Sequence, residues 1–323
     1  MEQLQHYLSN RKKKIKLEVM DILCVGEILV DFIGDQYGKS ISKTESFSRY
    51  LGGSTANLAV NAKRIGLEVN LVGAIGNDGL GKYLHRELVK FGLKTTHIAQ
   101  LTSHPTSVIF VSKSNDTPDF LPVRGADAYI NENLIDDELL RNTTVFHTSC
   151  FALSKEPARS VIMRKAKQAY LKGCKLSIDI NYSQKIWNDK AEAIHFIKAY
   201  CALNPLVKIS ADDTKRLFGN TISYEDAFSL FHSYGADTVC LTLGSKGVVL
   251  AQKDKKLITK PAISVSKVID VTGAGDAFWS GFLFGYIKNY APEQCVSFGL
   301  NLAHIKLQHV GHLPKNTNVT LPV

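Results

Sequence analysis

The chain predicts an α/β protein: a central, mostly parallel sheet sandwiched between helices, with a small β-sheet lid. Three observations carry this. Apolar, β-branched runs alternate with segments of helical period along most of the 323 residues, and that alternation builds a parallel sheet covered on both faces. Two polar, β-prone stretches, about 32–50 and 98–125, interrupt it without a helical period and are expected to project as an antiparallel flap. Finally, the run Asp270-Val271-Thr272-Gly273-Ala274-Gly275-Asp276-Ala277-Phe278 stands where a strand-like stretch (Ile263, Val265, Val268, Ile269) feeds a helix. Such sheets bind their ligands beyond the carboxyl ends of their strands.

In chain order, 22–30 reads as a first buried strand. Ser54 or Thr55 caps a helix carrying Leu58, Ala62 and Ile65, and Gly66 stands at its end. Residues 69–72 return as a strand, Asn77-Asp78-Gly79 turns, and Leu84, Leu88 and Phe91 mark a helix closed by Gly92. Strand 175–180, helix 191–200 and strands 238–243 and 248–251 continue the pattern. Phe278, Phe282 and Tyr286 recur at helical spacing after the glycine-rich turn. Residues 20–323 read as one domain, preceded by a basic extension at 1–19.

Composition narrows the function. Hydrophobic residues make up 45% of the chain, enough for a large core. No apolar run approaches the roughly 20 residues that span a bilayer, and Arg11-Lys12-Lys13-Lys14 precedes no signal-like apolar segment. Six scattered cysteines form no Cys-x-x-Cys pair, which fits a reducing cytoplasm. The net charge of +9 comes from dispersed residues rather than a basic stripe with interleaved aromatics. An anionic small molecule is a better expectation than nucleic acid.

The turn at 273–275 carries chemistry. The first N–H groups of a helix lack internal partners and its dipole makes that end positive, so an anion binds there. Asp276 would repel a phosphate, a cost that makes sense if it takes a proton from an attacking hydroxyl. An aspartate in a helix's first turn is also ordinary on its own. Other motifs fail. Gly76-Asn77-Asp78-Gly79-Leu80-Gly81-Lys82-Tyr83 ends in Tyr83 where a P-loop needs Ser or Thr. Neither Gly26-Glu27-Ile28 nor Gly273-x-Gly275 completes a dinucleotide fingerprint, and Ser149 lacks a hydrolase elbow.

Leu51-Gly52-Gly53-Ser54-Thr55-Ala56-Asn57-Leu58-Ala59, followed by Gly73-Ala74-Ile75-Gly76-Asn77-Asp78-Gly79-Leu80-Gly81, resembles the N-terminal signature of the ribokinase (PfkB) carbohydrate kinases. Residues 270–278 resemble their C-terminal signature, and Thr242-Leu243-Gly244-Ser245-Lys246-Gly247 their nucleotide loop. The likeness spans about 21–314. It implies a ribokinase-like fold and ATP-dependent phosphorylation of a sugar hydroxyl, with Asp276 as general base and the N–H groups of Gly273, Ala274 and Gly275 holding the transferring phosphoryl. Asp31, Gly52, Gly53 and Asn57 would receive the sugar, and Arg124 would close over it. Thr242, Gly244, Lys246, Gly247 and Asn301 would line the nucleotide site.

The resemblance further implies magnesium, ordered through water by Asp213, and a monovalent cation such as potassium at Asp270 and Thr272, with carbonyls from a loop near Gly311. Two positions depart from the family pattern. Ser210 and Asp213 stand where Asn-x-x-Glu is usual, and Ser183 replaces a basic residue, for which Lys185 could substitute. Asp31, Phe120-x-x-x-Arg124 and Phe146-His147-Thr148-Ser149 are most similar to fructokinase and 2-keto-3-deoxygluconate kinase members, and Ser183 favours neutral fructose. Ribose or a nucleoside, a non-catalytic sugar-binding scaffold, and a homodimer paired through the lid are the other readings that the resemblance leaves open.

Overall fold

The apolar run Ile22-Leu23-Cys24-Val25 lies in strand β1 (Met20–Val25), a buried interior strand of a sheet in a computed structural model describing residues 20–113, 119–220, 222–315 and 317–320. The extension at 1–19 lies outside the described residues. Successive side chains of a strand point to opposite faces, and β1 serves two cores accordingly. Leu23 and Val25 pack with Phe146, Ile162 and Phe231 on one side. Ile22 and Cys24 pack with Leu58, Phe278 and Leu302 on the other.

The remaining strands are β2 (Leu29–Tyr37), β3 (Phe47–Gly52), β4 (Val69–Gly76), β5 (Ile98–Leu101), β6 (Val108–Lys113), β7 (Phe120–Val123), β8 (Thr143–Ser149), β9 (Lys175–Ile180), β10 (Leu206–Ser210), β11 (Thr238–Thr242), β12 (Val248–Gln252) and β13 (Ile258–Lys260). The large sheet runs β13-β12-β11-β10-β9-β8-β1-β4-β5. Its pairs are parallel except β11–β12 and β12–β13. Its helices are α1 (Ser54–Arg64), α2 (Gly79–Lys90), α3 (Asp137–Arg141), α4 (Ala158–Leu171), α5 (Lys190–Cys201), α6 (Ala211–Phe218), α7 (Tyr224–Tyr234), α8 (Ala274–Ile287) and α9 (Pro292–Leu307). Helices α1, α2, α8 and α9 supply the core on one face, and α3 to α7 the core on the other. Among the described residues no helix is long and apolar enough to cross a membrane.

The lid is a second sheet, ordered β3-β2-β6-β7. Phe32 stacks on Phe110, with Phe47 edge-on, and this aromatic cluster stiffens it.

Four sequence expectations shift. The strand expected at 22–30 breaks at Gly26, where an added Cβ would lie 2.6 Å from Thr55 Cγ2, and the chain crosses there from core to lid. Residues 98–101, assigned to the flap, instead extend the large sheet beside β4. The lid is not wholly antiparallel, because β2 and β6 run parallel. The stretch 263–269 is irregular chain: it carries apolar residues but is held by bonds such as Ile269 N–H to Leu307 O (2.8 Å).

Candidate active site

The glycine-rich turn opens α8 as its sequence requires. Gly273 is the N-cap, with φ +77°, a backbone conformation that disfavours any side chain. A Cβ there would make ordinary contacts with Lys306 Cε at 3.7 Å and Asp276 Oδ2 at 3.9 Å. Buried Phe278, Trp279 and Phe282 anchor the helix, and Trp279 Nε1 donates to Ser177 Oγ (2.9 Å). Of the three N–H groups expected to hold an anion, that of Ala274 donates to Val271 O (3.2 Å) and closes the turn instead. Gly275 lies in the first helical turn, where N–H groups have no partner within the helix. A Cβ on Gly275 would sit 2.8 Å from Lys208 Nζ, so its absence lets a buried ammonium reach the turn.

Asp276 lies beneath this corner with both oxygens occupied. Oδ1 accepts from Ser54 Oγ (2.8 Å) and Oδ2 from Asn57 Nδ2 (2.9 Å). Because the Asn57 amide nitrogen faces Asp276, its oxygen faces His312 Nε2 (2.9 Å), which therefore carries the proton. Burial, then Lys306 and Arg64, depress the His312 pKa to about 3, so the ring is neutral. Burial foremost, with Asp179 adding, raises the Asp276 pKa, while Lys208 opposes the rise. The result is a basic carboxylate in a fixed orientation.

Three more residues of the cluster carry chemistry that the motifs did not point to. Lys208 donates to both oxygens of Asp179 (2.9 and 2.8 Å), and Ser54 Oγ also approaches Asp179 (3.4 Å). Glu27 accepts from the Ser54 N–H (2.8 Å) and from Ser149 Oγ (2.7 Å), fixing the start of α1. Burial is the main reason its pKa rises to about 7. The signal was present in the sequence: a lysine inside the apolar run Leu206-Val207-Lys208-Ile209 and a glutamate between Gly26 and Ile28 are charges where a strand buries its side chains.

Asp31 is half-buried beside a pocket lined by Tyr50, Asn57, Thr272, Gly273 and His312 between lid and turn. Burial first, then Asp276, Glu27 and Asp270, push its pKa up to about 7. The space at Gly52 and Gly53, expected to admit the sugar to the backbone, is filled. A Cβ at Gly52 would lie 2.1 Å from Asp31 Oδ2, and one at Gly53 (φ +100°) 2.5 Å from Glu27 O. Gly52 makes room for the Asp31 carboxylate and Gly53 for the Glu27 backbone carbonyl.

Arg124 is likewise committed. Its Nε donates to Asp127 (2.7 Å) and Nη1 to Ser154 Oγ (2.9 Å), and its guanidinium lies over the Phe151 ring. It braces the base of the lid instead of being free to close over a substrate. Lys185 binds Asp119 and Phe120 O (3.0 Å), so its ammonium ties core to lid and does not replace the basic group missing at Ser183.

On the side expected to take the nucleotide, Ser210 and Thr242 are paired at the ends of β10 and β11. Gly244 opens a single turn (Gly244–Lys246), and Leu243 N–H to Gly247 O (2.8 Å) closes the loop. Nothing would touch a Cβ at Gly244, so the loop has room for a ligand. Asn301 is elsewhere engaged, donating to Thr320 O (3.0 Å). Asp213 is buried and accepts from Ser210 Oγ (2.5 Å) and Arg216 (3.0 Å). A water on magnesium would have to use its remaining lone pairs. Burial foremost raises its pKa to about 6.

The proposed monovalent-cation residues do not form an open site. Asp270 Oδ1 accepts from the Thr272 N–H (2.9 Å), while Oδ2 accepts from Lys306 Nζ (3.0 Å). The same ammonium reaches His309 O (3.0 Å) and Asp270 O (3.4 Å). The expectation of potassium at Asp270 and Thr272 is corrected: a side-chain cation stands there.

The model of the pfkB family of carbohydrate kinases matches residues 20–317. The chain belongs to that family. It is 34% identical over 291 residues, 90% of this chain and 89% of the other, to an ATP-dependent 6-phosphofructokinase of Thermoanaerobacterium thermosaccharolyticum. Among solved structures, the fructokinase of Halothermothrix orenii superposes with a TM-score of 0.76 at 34% identity, covering 91% of this chain and 100% of that one. A sugar kinase of Pyrococcus horikoshii solved with ATP superposes at 0.80 with 25% identity, covering 91% and 95%. The pfkB kinase is thus an ATP-dependent carbohydrate kinase with the ribokinase-like α/β fold.

Proposed function

We infer that this kinase phosphorylates a neutral ketohexose, fructose, with Asp276 as the general base. The observation that carries the base assignment is the fixed Asp276 carboxylate, held by Ser54 and Asn57 beside Gly273, which lines a pocket. A sugar hydroxyl in the adjoining pocket gives its proton to Asp276 as its oxygen attacks the terminal phosphorus of ATP. The bond from that phosphorus to the bridging oxygen breaks and ADP leaves. The N–H groups of Gly273 and Gly275, with Lys208 behind them, stabilise the charge on the phosphoryl in flight. Asp31, titrating near neutrality, can both accept from and donate to sugar hydroxyls.

Charge supports the neutral substrate. Lys306 and Lys208 are paired with Asp270 and Asp179, Arg124 with Asp127, and Asp31 adds a further acid to the pocket wall. A second reading, fructose 6-phosphate, is favoured by the phosphofructokinase relative. Incubation with ATP, magnesium and a panel of fructose, fructose 6-phosphate, 2-keto-3-deoxygluconate, ribose and adenosine, with product analysis, decides. ADP release with fructose supports the inference. Exclusive use of fructose 6-phosphate or of the keto acid overturns it, and binding without ADP release would favour a scaffold.

A further inference from the structure

We propose that Lys306 is a built-in monovalent cation, so that this kinase works without potassium. The observation is a buried ammonium whose three protons meet Asp270 Oδ2, His309 O and Asp270 O at 3.0, 3.0 and 3.4 Å. An ammonium group and a potassium ion are close in size, and both are satisfied by carbonyl and carboxylate oxygens. The lysine rises from the last turn of α9, where the helix dipole favours a cation. It stitches the loop after α9 to the irregular chain leading into the anion-binding turn, a join reinforced by Gly311 N–H to Asp270 Oδ2 (3.4 Å) and Asp270 N–H to Leu307 O (3.5 Å). Its Cε lies under Gly273. One group thereby neutralises Asp270, holds the turn's backbone and adds positive charge behind the phosphoryl. A free ion entering the same oxygens would have to displace a covalently tethered charge. Burial lowers the Lys306 pKa, and Asp270 works against that shift.

The inference uses the kinase reading only for its activity arm. Turnover of the sugar accepted in the panel is compared in tetramethylammonium, sodium and potassium salts at equal ionic strength, and thermal midpoints are recorded in the same salts. The wild-type rate and midpoint are expected to coincide in all three. Lys306→Ala should lose turnover by about 10²-fold in tetramethylammonium, the scale of removing one preorganised charge-stabilising group. Potassium should restore most of it and raise the variant's midpoint, as binding to the folded state alone requires. Potassium stimulation of the wild type overturns the proposal, as does a variant that runs at the wild-type rate without potassium. Should the variant fail to fold, the wild-type salt series still decides. Should no sugar in the panel turn over, the midpoints decide, separately from the substrate question.

Discussion

Asp276 is more basic than a surface aspartate because the molecule removes it from water and places Asp179 nearby, while Lys208 and two hydrogen-bond donors keep the charged form usable. Asp276→Asn keeps the size and the Ser54 acceptor but not the basicity. Its kcat is expected to fall by about 10²–10⁴-fold, the usual contribution of a positioned general base, with ATP binding unchanged by calorimetry. Near-normal kcat would remove the residue from that role. The raised pKa also sets the pH profile. Since the base acts only when deprotonated, kcat should decline on acidification at a pH above the ordinary aspartate range of about 4. An acid limb centred at or below that value would contradict the environment described. Glu27 gives a stability counterpart. Its pKa is about 7 in the fold and 4.5 in the reference state, so the native state holds the proton more tightly. That stabilisation is complete below the lower value and is lost as pH rises through the higher one. Wild-type stability measured against Glu27→Gln by urea unfolding should fall between these two values. A pH-independent difference would refute it.

At the scale of elements, the site is where strand ends and helix starts converge: α1 gives Ser54 and Asn57, α8 gives Asp276, β9 gives Asp179 and β10 gives Lys208. The turn and α8 were legible from 270–286 alone because glycine spacing, an N-terminal acid and a helical apolar period are local signals. What was not legible depends on neighbours distant in sequence. Gly52 and Gly53 were read as room for a ligand, and only the approach of Asp31 and Glu27 shows what they make room for. Arg124 was read as a mobile donor, and only its meeting with Asp127 and Ser154 shows it fixed. Residues 98–101 are β-prone in either sheet, and their pairing with β4 is set by the crossover. The Asp179–Lys208 pair between adjacent strands allows a test at this scale. Lys208→Met strands a buried carboxylate and should cost about 3–5 kcal/mol. Adding Asp179→Leu removes the stranded charge and should recover most of that stability. Turnover should stay low in both variants, since the ammonium behind Gly275 is gone. Recovery of activity along with stability would show the pair to be structural only.

At the scale of the whole molecule, lid and core meet at the pocket proposed for the sugar, which takes Asp31 and Tyr50 from one and Asn57 and Gly273 from the other. The covalent hinge is short: between β1 and β2 only Gly26-Glu27-Ile28 intervene. On the far side the lid is tied by Lys185, whose ammonium bonds Asp119 and the Phe120 carbonyl at the start of β7 and lies over the Phe120 ring. Both partners are about half exposed. Water screens such a pair, and its worth to global stability is at most about 1 kcal/mol. Its effect on lid position can still be large, since it acts at the edge opposite the hinge and any loosening there is felt across the pocket. Lys185→Ala is therefore expected to leave the thermal midpoint nearly unchanged and kcat at saturating sugar close to wild type. The KM for sugar should rise by no more than about 5-fold, the effect of about 1 kcal/mol spent on holding the lid closed, while the KM for ATP stays put because the Gly244 loop lies on the core. Equal increases in both KM values would mean that the lysine steadies the whole molecule, and an unchanged KM for sugar would mean that the lid closes without it.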